Sequence, residues 1–307
     1  MVAMRIFVLL VMLLIFTVLA YQNNQHHTKL NPFSSRLLHP FDDRIRYKIA
    51  ELDPRFGLSQ EELIQLTEEA TQIWTQATGK EYFVYDPNAR LGLHFIYDDR
   101  QQETEQRKQH LQHIDRKQQQ WSNKKQQVDQ FSRELDQNRA SLEEKRQALE
   151  DLVALYNQYI MQINQQGGAY PEKKMQLEQE AKSLETRLNQ MKFEIDQHNF
   201  NILRLNQQVD ELNQMNLQID QVIQNFNQSF QPRLFDKGLF NGKDIHIYEF
   251  ENIDDLRLTL AHEFGHALGL KHHNEPTALM FPMLKDQNMQ NFRLQPADLE
   301  LLAQRKH

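Results

Sequence analysis

The stretch AHEFGHALGLKHH, residues 261–273, places four histidines and one glutamate within thirteen positions. His262 and His266 are four residues apart, and side chains with this spacing project from the same face of an α-helix. Two imidazoles on one helical face can bind a single metal ion between them. The stretch therefore predicts a metal-binding helix, and the rest of the chain can be interpreted outward from it.

A third ligand and a base follow from the same stretch. A catalytic zinc site has three protein ligands and keeps one coordination position open. His272 would leave the metal-binding face if the helix continued, but Gly269 can adopt a positive φ, end the helix and turn His272 back. Glu263 is placed to hold water at the metal and take its proton. We therefore predict one catalytic Zn²⁺ bound by His262, His266 and His272, with Glu263 as general base.

The complete pattern H-E-x-x-H-x-x-G-x-x-H resembles the signature of the metzincins. Met280, in ALMFP at residues 278–282, matches the methionine turn of that clan, and DLRLTLAHEFGHALGLKHHNEPTALMFPM, residues 255–283, closely resembles the matrixins. The resemblance covers roughly residues 44–100 and 233–307. It implies an α+β zincin domain with a twisted, mixed, five-stranded sheet and three helices. It also implies hydrolysis of a protein or peptide substrate, with Met280 packed beneath the zinc.

The sequence departs from the matrixin pattern at two points. Matrixins usually hold a structural zinc and calcium ions in the loop after the third strand, where this chain carries a long insertion. No equivalent ligand set is evident in the sequence, so we expect a single zinc. The chain also lacks cysteine, which excludes disulfides, thiolate ligands and the cysteine latch of the family's propeptide.

The insertion has the pattern of two long helices. Residues 93–166 and 172–231 contain neither glycine nor proline, and only GGAYP at 167–171 separates them. Apolar residues alternate steps of three and four from Ile114 to Ile163, with polar exceptions, and again from Leu177 to Phe226. This periodicity is typical of a coiled coil, and the short turn predicts an antiparallel hairpin. Asn138 and His198 fall at the same level of the hairpin, where a buried polar pair would fix the register.

The globular parts on either side of the insertion resemble one domain that has been split. We expect strands within 44–52, 81–86, 90–99 and 243–250, and a substrate-binding edge strand around 228–235. Ser59 and Glu62 predict a capping box at the start of a helix that Gly79 ends. Asp254 or Asp255 is expected to open the helix of the quoted stretch, and Pro296 a last helix.

The N-terminal segment bears on location. IFVLLVMLLIFTVLA, residues 6–20, follows Arg5 and fits a secretory signal cleaved after Ala20. The same run fits an uncleaved, short membrane anchor, although a span usually needs about 20 residues. Either interpretation predicts a secreted or membrane-anchored protein with an extracytoplasmic domain. The expected layout is a signal or anchor (1–21), a tether (22–43), a split metalloprotease domain (44–100 and 232–307) and the hairpin insertion (101–231).

Three classes of function agree with these patterns. The first is an active zinc endopeptidase. The second is an inactive scaffold that binds a protein partner through its coiled-coil arm, and the third is a zinc amidase acting on cell-wall peptide. The presence of Glu263 favours an enzyme, because a scaffold has no need of a general base. The net charge of −7 and the lack of a basic patch argue against a nucleic-acid partner.

Overall fold

A computed structural model of the protein describes residues 10–14, 16–17, 29–39, 41–231, 233, 235–284 and 287–305. Most of the expected signal or anchor segment, 1–21, lies outside these residues, as does the first part of the expected tether. Within the described part of the chain, no helix combines the length and apolarity needed to cross a membrane.

The chain divides into two compact units. The first unit comprises Met1–Lys108 and Pro232–His307, and the second unit comprises Gln109–Gln231. The first boundary between the two units lies after Lys108, within a continuous helix. The sequence suggested an insertion that begins at residue 101. The first turns of that helix therefore belong to the first unit.

The first unit is built on a mixed five-stranded sheet. Its strands are β1 (Ile45–Leu52), β2 (Phe83–Tyr85), β3 (Leu91–Phe95), β4 (Gly238–Phe240) and β5 (Ile245–Ile247), in the order β2-β1-β3-β5-β4. The pairs β1–β2, β1–β3 and β3–β5 are parallel, and only β4 runs antiparallel to its neighbour β5. The expected mixed sheet with helices is therefore confirmed.

Among the described residues, the α-helices with defined bounds that lie wholly in this unit are α1 (Phe33–Leu38), α2 (Gln60–Thr78), α5 (Ile253–Ala267) and α6 (Pro296–Gln304). The predicted capping box of α2 is present, because Ser59 and Glu62 each accept a hydrogen bond from the other's backbone N–H, and Gly79 ends the helix at φ 71°. Helices α2 and α5 pack on each other and on the sheet. The buried Trp74 joins them, since its indole N–H donates to the Ala261 carbonyl at 3.0 Å.

The second unit consists of the remainder of helix α3 (Asp99–Gln165) and helix α4 (Pro171–Ser229). Near the turn, the Tyr156 hydroxyl donates to the Leu177 carbonyl, and farther away Lys124 pairs with Glu211. Between these contacts, His198 Nδ1 lies 2.9 Å from Asn138 Oδ1. As the residue number on α3 rises towards the turn, the number of its partner on α4 falls. The two helices therefore run antiparallel. The predicted Asn138–His198 contact is present, but Asn138 is exposed and His198 is only partly buried, so it is not the buried polar pair that the sequence predicts. Two helices cover such a pair on one side only and leave the other side open to water.

Three local predictions need correction. Residues 228–229 belong to α4, so the expected edge strand around 228–235 is wrong, and the edge strand that follows α4 is β4, Gly238–Phe240. The helical pattern continues towards Pro232, and a proline disfavours helix only in its immediate vicinity. Helix α5 is capped by Asn252, whose Oδ1 accepts the Asp255 N–H, rather than by an aspartate. The later part of the tether contains α1, and Asn31 is bonded to β1 through Arg44 and Arg46.

Candidate active site

The three predicted metal ligands meet at one point. Helix α5 presents His262 and His266, and the chain beyond it brings His272 to them. Nε2 of His272 lies 3.3 Å from Nε2 of His262 and 3.2 Å from Nε2 of His266. Burial decreases from His262, which is buried, through His266 to the exposed His272. The cluster therefore opens to solvent on the side of His272.

Hydrogen bonds orient the two helical imidazoles. Nδ1 of His262 lies 2.6 Å from the Leu279 carbonyl oxygen, and Nδ1 of His266 lies 2.9 Å from the Leu270 carbonyl oxygen. A carbonyl only accepts, so Nδ1 carries the proton in both rings and the Nε2 lone pairs face the common centre. Burial lowers the pKa of His262 to about 3 and also lowers the pKa of His266. Both rings are therefore neutral at neutral pH, as a metal ligand requires.

The cluster fits zinc. Tetrahedral zinc with Zn–N distances of about 2.0–2.1 Å requires ligand nitrogens roughly 3.3–3.4 Å apart. The two measured Nε2 separations, 3.2 and 3.3 Å, agree with that requirement. With Nδ1 protonated, Nε2 of His262 and Nε2 of His266 are both hydrogen-bond acceptors. His272 Nε2 carries at most one proton, so it cannot donate a good hydrogen bond to both. A cation at the centre would satisfy all three nitrogens.

The turn after α5 follows from Gly269. Its φ is 89°, in the left-handed region that favours glycine, and its N–H donates to the His266 carbonyl. The helix stops at Ala267, and the chain reverses so that His272 reaches the other two histidines. Gly269 therefore has the backbone geometry that its predicted role in ending the helix requires.

Met280 lies beneath α5 and is fully buried. A Cβ added to Gly265 would come within 2.4 Å of Met280 Sδ and 2.8 Å of Trp74 Cζ2, so only glycine lets the helix approach this layer. The sequence did not predict a role for Gly265. Its signal was a glycine inside an otherwise regular helix, where it costs about 1 kcal/mol relative to alanine and so implies a packing reason.

A buried carboxylate supports the backbone around Met280. Asp298, at the start of α6, is fully buried and accepts hydrogen bonds from the backbone N–H groups of Leu279 and Met280 at 3.0 and 2.9 Å. The Leu279 carbonyl in turn accepts from His262, and the Met280 carbonyl accepts from the His273 N–H at 2.8 Å. Asp298 therefore supports two sides of the cluster through the backbone. The sequence did not predict this role of Asp298, because one aspartate in a helix carries no signal of a partner at residue 280.

Glu263 is buried beside the histidines. Its Oε2 accepts the Phe240 N–H from β4 at 2.7 Å. Burial raises the pKa of Glu263 to about 7, although the hydrogen bond from Phe240 opposes the shift. A carboxyl with this pKa can both accept and release a proton near neutral pH.

The region after β3 differs from the matrixin expectation of a metal-holding loop. Helix α3 begins at Asp99, shortly after β3 ends at Phe95. Two arginines of α3 contact the residues that follow β5. The Arg100 guanidinium lies 3.6 Å from the centre of the Tyr248 ring, and Arg107 pairs with Glu251. In the described part of the chain, the histidine triad is the only group of three or more suitable side chains close enough to hold a metal.

Comparison with known proteins gives a family. A model of the matrixin family matches residues 40–304. The chain belongs to the matrixin family. Over 72 residues it is 43% identical to matrix metalloproteinase-27 of Tupaia belangeri, which covers 22% of this chain and 14% of that protein. Over 47 residues it is 49% identical to matrix metalloproteinase-16 of Rattus norvegicus, covering 15% of this chain and 8% of the relative.

A third relative is matrix metalloproteinase-20 of Homo sapiens, 52% identical over 40 residues, which are 13% of this chain and 8% of that protein. The chain thus spans 8–14% of the length of these three relatives. The matrixin family is a family of zinc-dependent metalloendopeptidases. The short matched segments do not carry over the activity or substrate of any one relative.

Proposed function

We propose that this matrixin is a zinc endopeptidase in which His262, His266 and His272 hold one Zn²⁺ and Glu263 is the general base. The observation that carries the proposal is the convergence of three Nε2 atoms, two of them 3.2 and 3.3 Å from the third, next to a buried carboxylate. The chemistry that zinc supplies in such a site is Lewis-acid activation of water and of the scissile carbonyl.

Glu263 performs the proton transfers. Its Oε2 is held by the Phe240 N–H, so we assign Oε1 to the water. Oε1 accepts a proton from the attacking water and later delivers that proton to the departing amine. Met280 packs beneath the histidines and takes no part in proton transfer.

The edge strand β4 suits a peptide substrate. It pairs with β5 on one side and ends the sheet in the described structure. An extended peptide can add to such an edge through backbone hydrogen bonds, which position the scissile bond without demanding one sequence. We therefore assign an unfolded or extended protein segment as the substrate class.

The hairpin and the N-terminal segment complete the proposal. We assign α3 and α4 to an antiparallel coiled coil that docks a protein partner, supported by large apolar side chains left exposed on α4, among them Phe193 and Phe200. We also propose an extracytoplasmic location, with the N-terminal apolar segment acting as a cleaved signal or as a membrane anchor. A retained anchor would add the membrane as a partner.

A peptide-library digestion tests the enzyme proposal. The protein lacking the N-terminal apolar segment is compared with its Glu263→Ala variant, with zinc per chain measured in both. We expect one zinc in each, and cleavage that falls at least ~10²-fold in the variant, as is usual for loss of a general base. A chelator should abolish cleavage and zinc should restore it. Equal cleavage by both proteins would contradict the assignment of Glu263, and a zinc-loaded wild type that cuts no peptide would contradict the endopeptidase.

A further inference from the structure

The position of Glu263 depends on a very short strand. Strand β4 has three residues, and its Phe240 N–H is the backbone donor that holds Glu263 Oε2. Gly238 lies so close that an added Cβ would be 2.9 Å from both Cγ and Oε1 of Glu263. The backbone of β4 therefore packs directly against the Glu263 carboxyl. A small movement of β4 would change where Oε1 lies.

Lys237, directly before β4, ties the strand to the start of α5. Its Nζ donates to Asp255 Oδ2 at 2.7 Å and lies 3.7 Å from Glu249 Oε2. Its carbonyl oxygen accepts the Tyr248 N–H at 2.8 Å. Asp255 lies in the first turn of α5 and also accepts the Glu251 N–H at 2.8 Å. One lysine thus joins β4, the end of β5 and the first turn of α5.

The two attachments of β4 to α5 match in length. Asp255 and Glu263 are eight residues apart, which at 1.5 Å per residue is about 12 Å along the helix. Lys237 and Phe240 are three residues apart, about 10 Å in a strand. Strand β4 therefore follows α5 and is fixed near both ends, by the Lys237–Asp255 ion pair at one and by the Phe240–Glu263 hydrogen bond at the other.

The carboxylates that pair with Lys237 are buried, so they depend on its positive charge. The side chains of Asp255 and Glu249 are only 1% and 2% exposed, against 27% for Lys237. Within the described part of the chain, Asp255 Oδ1 and Glu249 Oε2 have no hydrogen-bond partner. Lys237 is the cation paired with both carboxylates. Removing it would leave buried negative charge uncompensated, so the segment would have to move or admit water.

We propose that Lys237 is a positioning residue for the reaction: by pairing with Asp255 it holds β4 against Glu263. The inference rests on the proposed function of Glu263 as general base. It assigns a catalytic consequence to a lysine that touches neither the histidines nor the carboxyl of Glu263. Loss of Lys237 should reduce turnover more than substrate binding, since the misplaced group is the base.

The test compares three variants of the zinc-loaded protein. Lys237→Met removes the ion pair, Lys237→Arg preserves it, and Lys243→Met is the matched control. Lys243 lies beyond the other end of β4, its side chain is 65% exposed, and it pairs with the neighbouring Asp244. We expect Lys237→Met to lower kcat roughly 10-fold or more while KM changes less than about 3-fold, because a shift of about 1 Å can cost up to ~10²-fold. Lys237→Arg should restore most of kcat, and Lys243→Met should match wild type.

Hydrogen exchange of the Phe240 amide gives a readout that does not depend on activity. This N–H is protected by Glu263 in wild type, so Lys237→Met should make it exchange about 10-fold faster, as a locally opened hydrogen bond does. Unchanged exchange of Phe240 together with unchanged kcat in Lys237→Met would overturn the proposal. A fall in kcat that Lys237→Arg does not restore would also overturn it.

Two further outcomes remain distinguishable. If Lys237→Met fails to fold, the double variant Lys237→Met/Asp255→Asn removes both charges, and the inference still requires faster exchange of the Phe240 amide. If the wild type cleaves no peptide, the proposed function fails. The exchange comparison then decides separately whether Lys237 holds β4, and only the catalytic part of the inference falls with the enzyme.

Discussion

Helices α5 and α4 differ in how much of their surface is buried and in which elements they contact. Eleven of the fifteen residues of α5 are buried, whereas α4 buries only Leu177 and Ile219 among fifty-nine. Residues on α5 meet partners from β4, α2 and the segment around Met280, which are far away in sequence. Residues on α4 bond one another or residues of α3, as Gln190 bonds Glu194 and Lys145 of α3 pairs with Glu194. A helix surrounded by distant elements therefore tolerates change less well than one that faces a single neighbour.

The contrast gives a rule for substitutions. A changed side chain in α5 or its supports should disturb several contacts at once, because close-packed interiors transmit small displacements. A changed side chain in the hairpin should disturb one pair. The four predictions below test this rule in order of decreasing expected effect.

The largest effect is expected at His272. His272→Ala should weaken zinc binding by at least about 100-fold, more than the loss of an outer partner of a ligand usually costs, because only two protein ligands would remain. Zinc content is measured after dialysis against a competing chelator. His273→Ala is the control: the His273 ring accepts the Glu275 N–H at 2.9 Å and is not part of the histidine cluster, so this variant should retain zinc. Full zinc retention by His272→Ala would remove His272 from the ligand set.

The second prediction concerns Asp298, which supports the site from another helix. Asp298→Asn puts an NH₂ group against backbone N–H donors and should cost about 2–4 kcal/mol in the free energy of unfolding. Glu300→Gln on the same helix is the control, because Glu300 is exposed and accepts a hydrogen bond from the nearby Gln304 side chain. Urea unfolding of the zinc-loaded proteins measures both. Equal stability of the two variants would mean that the backbone around Met280 does not depend on Asp298.

The third prediction is a pH dependence. Burial raises the pKa of Glu249, so the folded protein holds that proton more tightly than the unfolded chain does. The stabilisation is complete below the ordinary carboxyl pKa of 4.5 and is lost as the pH rises through the raised value. Glu249→Gln cannot ionise, so it should gain about 1 kcal/mol over wild type at the upper end of that range.

Urea unfolding at a series of pH values, with zinc saturated throughout, measures the Glu249 effect. Glu251→Gln is the control, since Glu251 is half exposed and pairs with Arg107. A stability difference between Glu249→Gln and wild type that is constant with pH would contradict ionisation of Glu249 as its cause.

The smallest effect on the site is expected from removing the hairpin. The rings of His110 and Phe230 are 5.3 Å apart, so the two helix ends of the second unit are close enough for a short Gly/Ser linker to replace residues 109–231. This variant should keep zinc and cleave small peptides as wild type does. If the hairpin docks a partner, cleavage of that protein should fall while small-peptide cleavage persists.

A longer deletion, residues 99–231, sharpens the comparison. It also removes Gln101, whose buried side-chain amide bonds both the N–H and the carbonyl of Phe250, just before α5. We expect this variant to be less stable than the shorter deletion. If both deletions unfold and lose zinc, the second unit would be required by the first, and the rule drawn from α5 and α4 would fail.

Much of the candidate site follows from the sequence because its information is local. The spacing of His262 and His266, the glycine at 269 and the position of Glu263 all lie within eleven residues, and helical geometry converts that spacing into directions. The heptads of α3 and α4 are local in the same way, and they predicted the level at which Asn138 meets His198. The sheet as a class follows from the family resemblance.

Other features were decided by tertiary structure. The edge strand β4 could not be placed, because GLF at 238–240 is too short to show periodicity, and it becomes a strand through pairing with β5 and contact with Glu263. The same holds for Asp298 below Met280, for Gly265 against Trp74, and for Lys237 between two buried carboxylates. The sequence alone determines what a helix can present on one face, since that depends on the 3.6-residue repeat. Only the folded chain determines which distant groups meet that face, because packing and burial bring together residues whose separation in sequence carries no pattern.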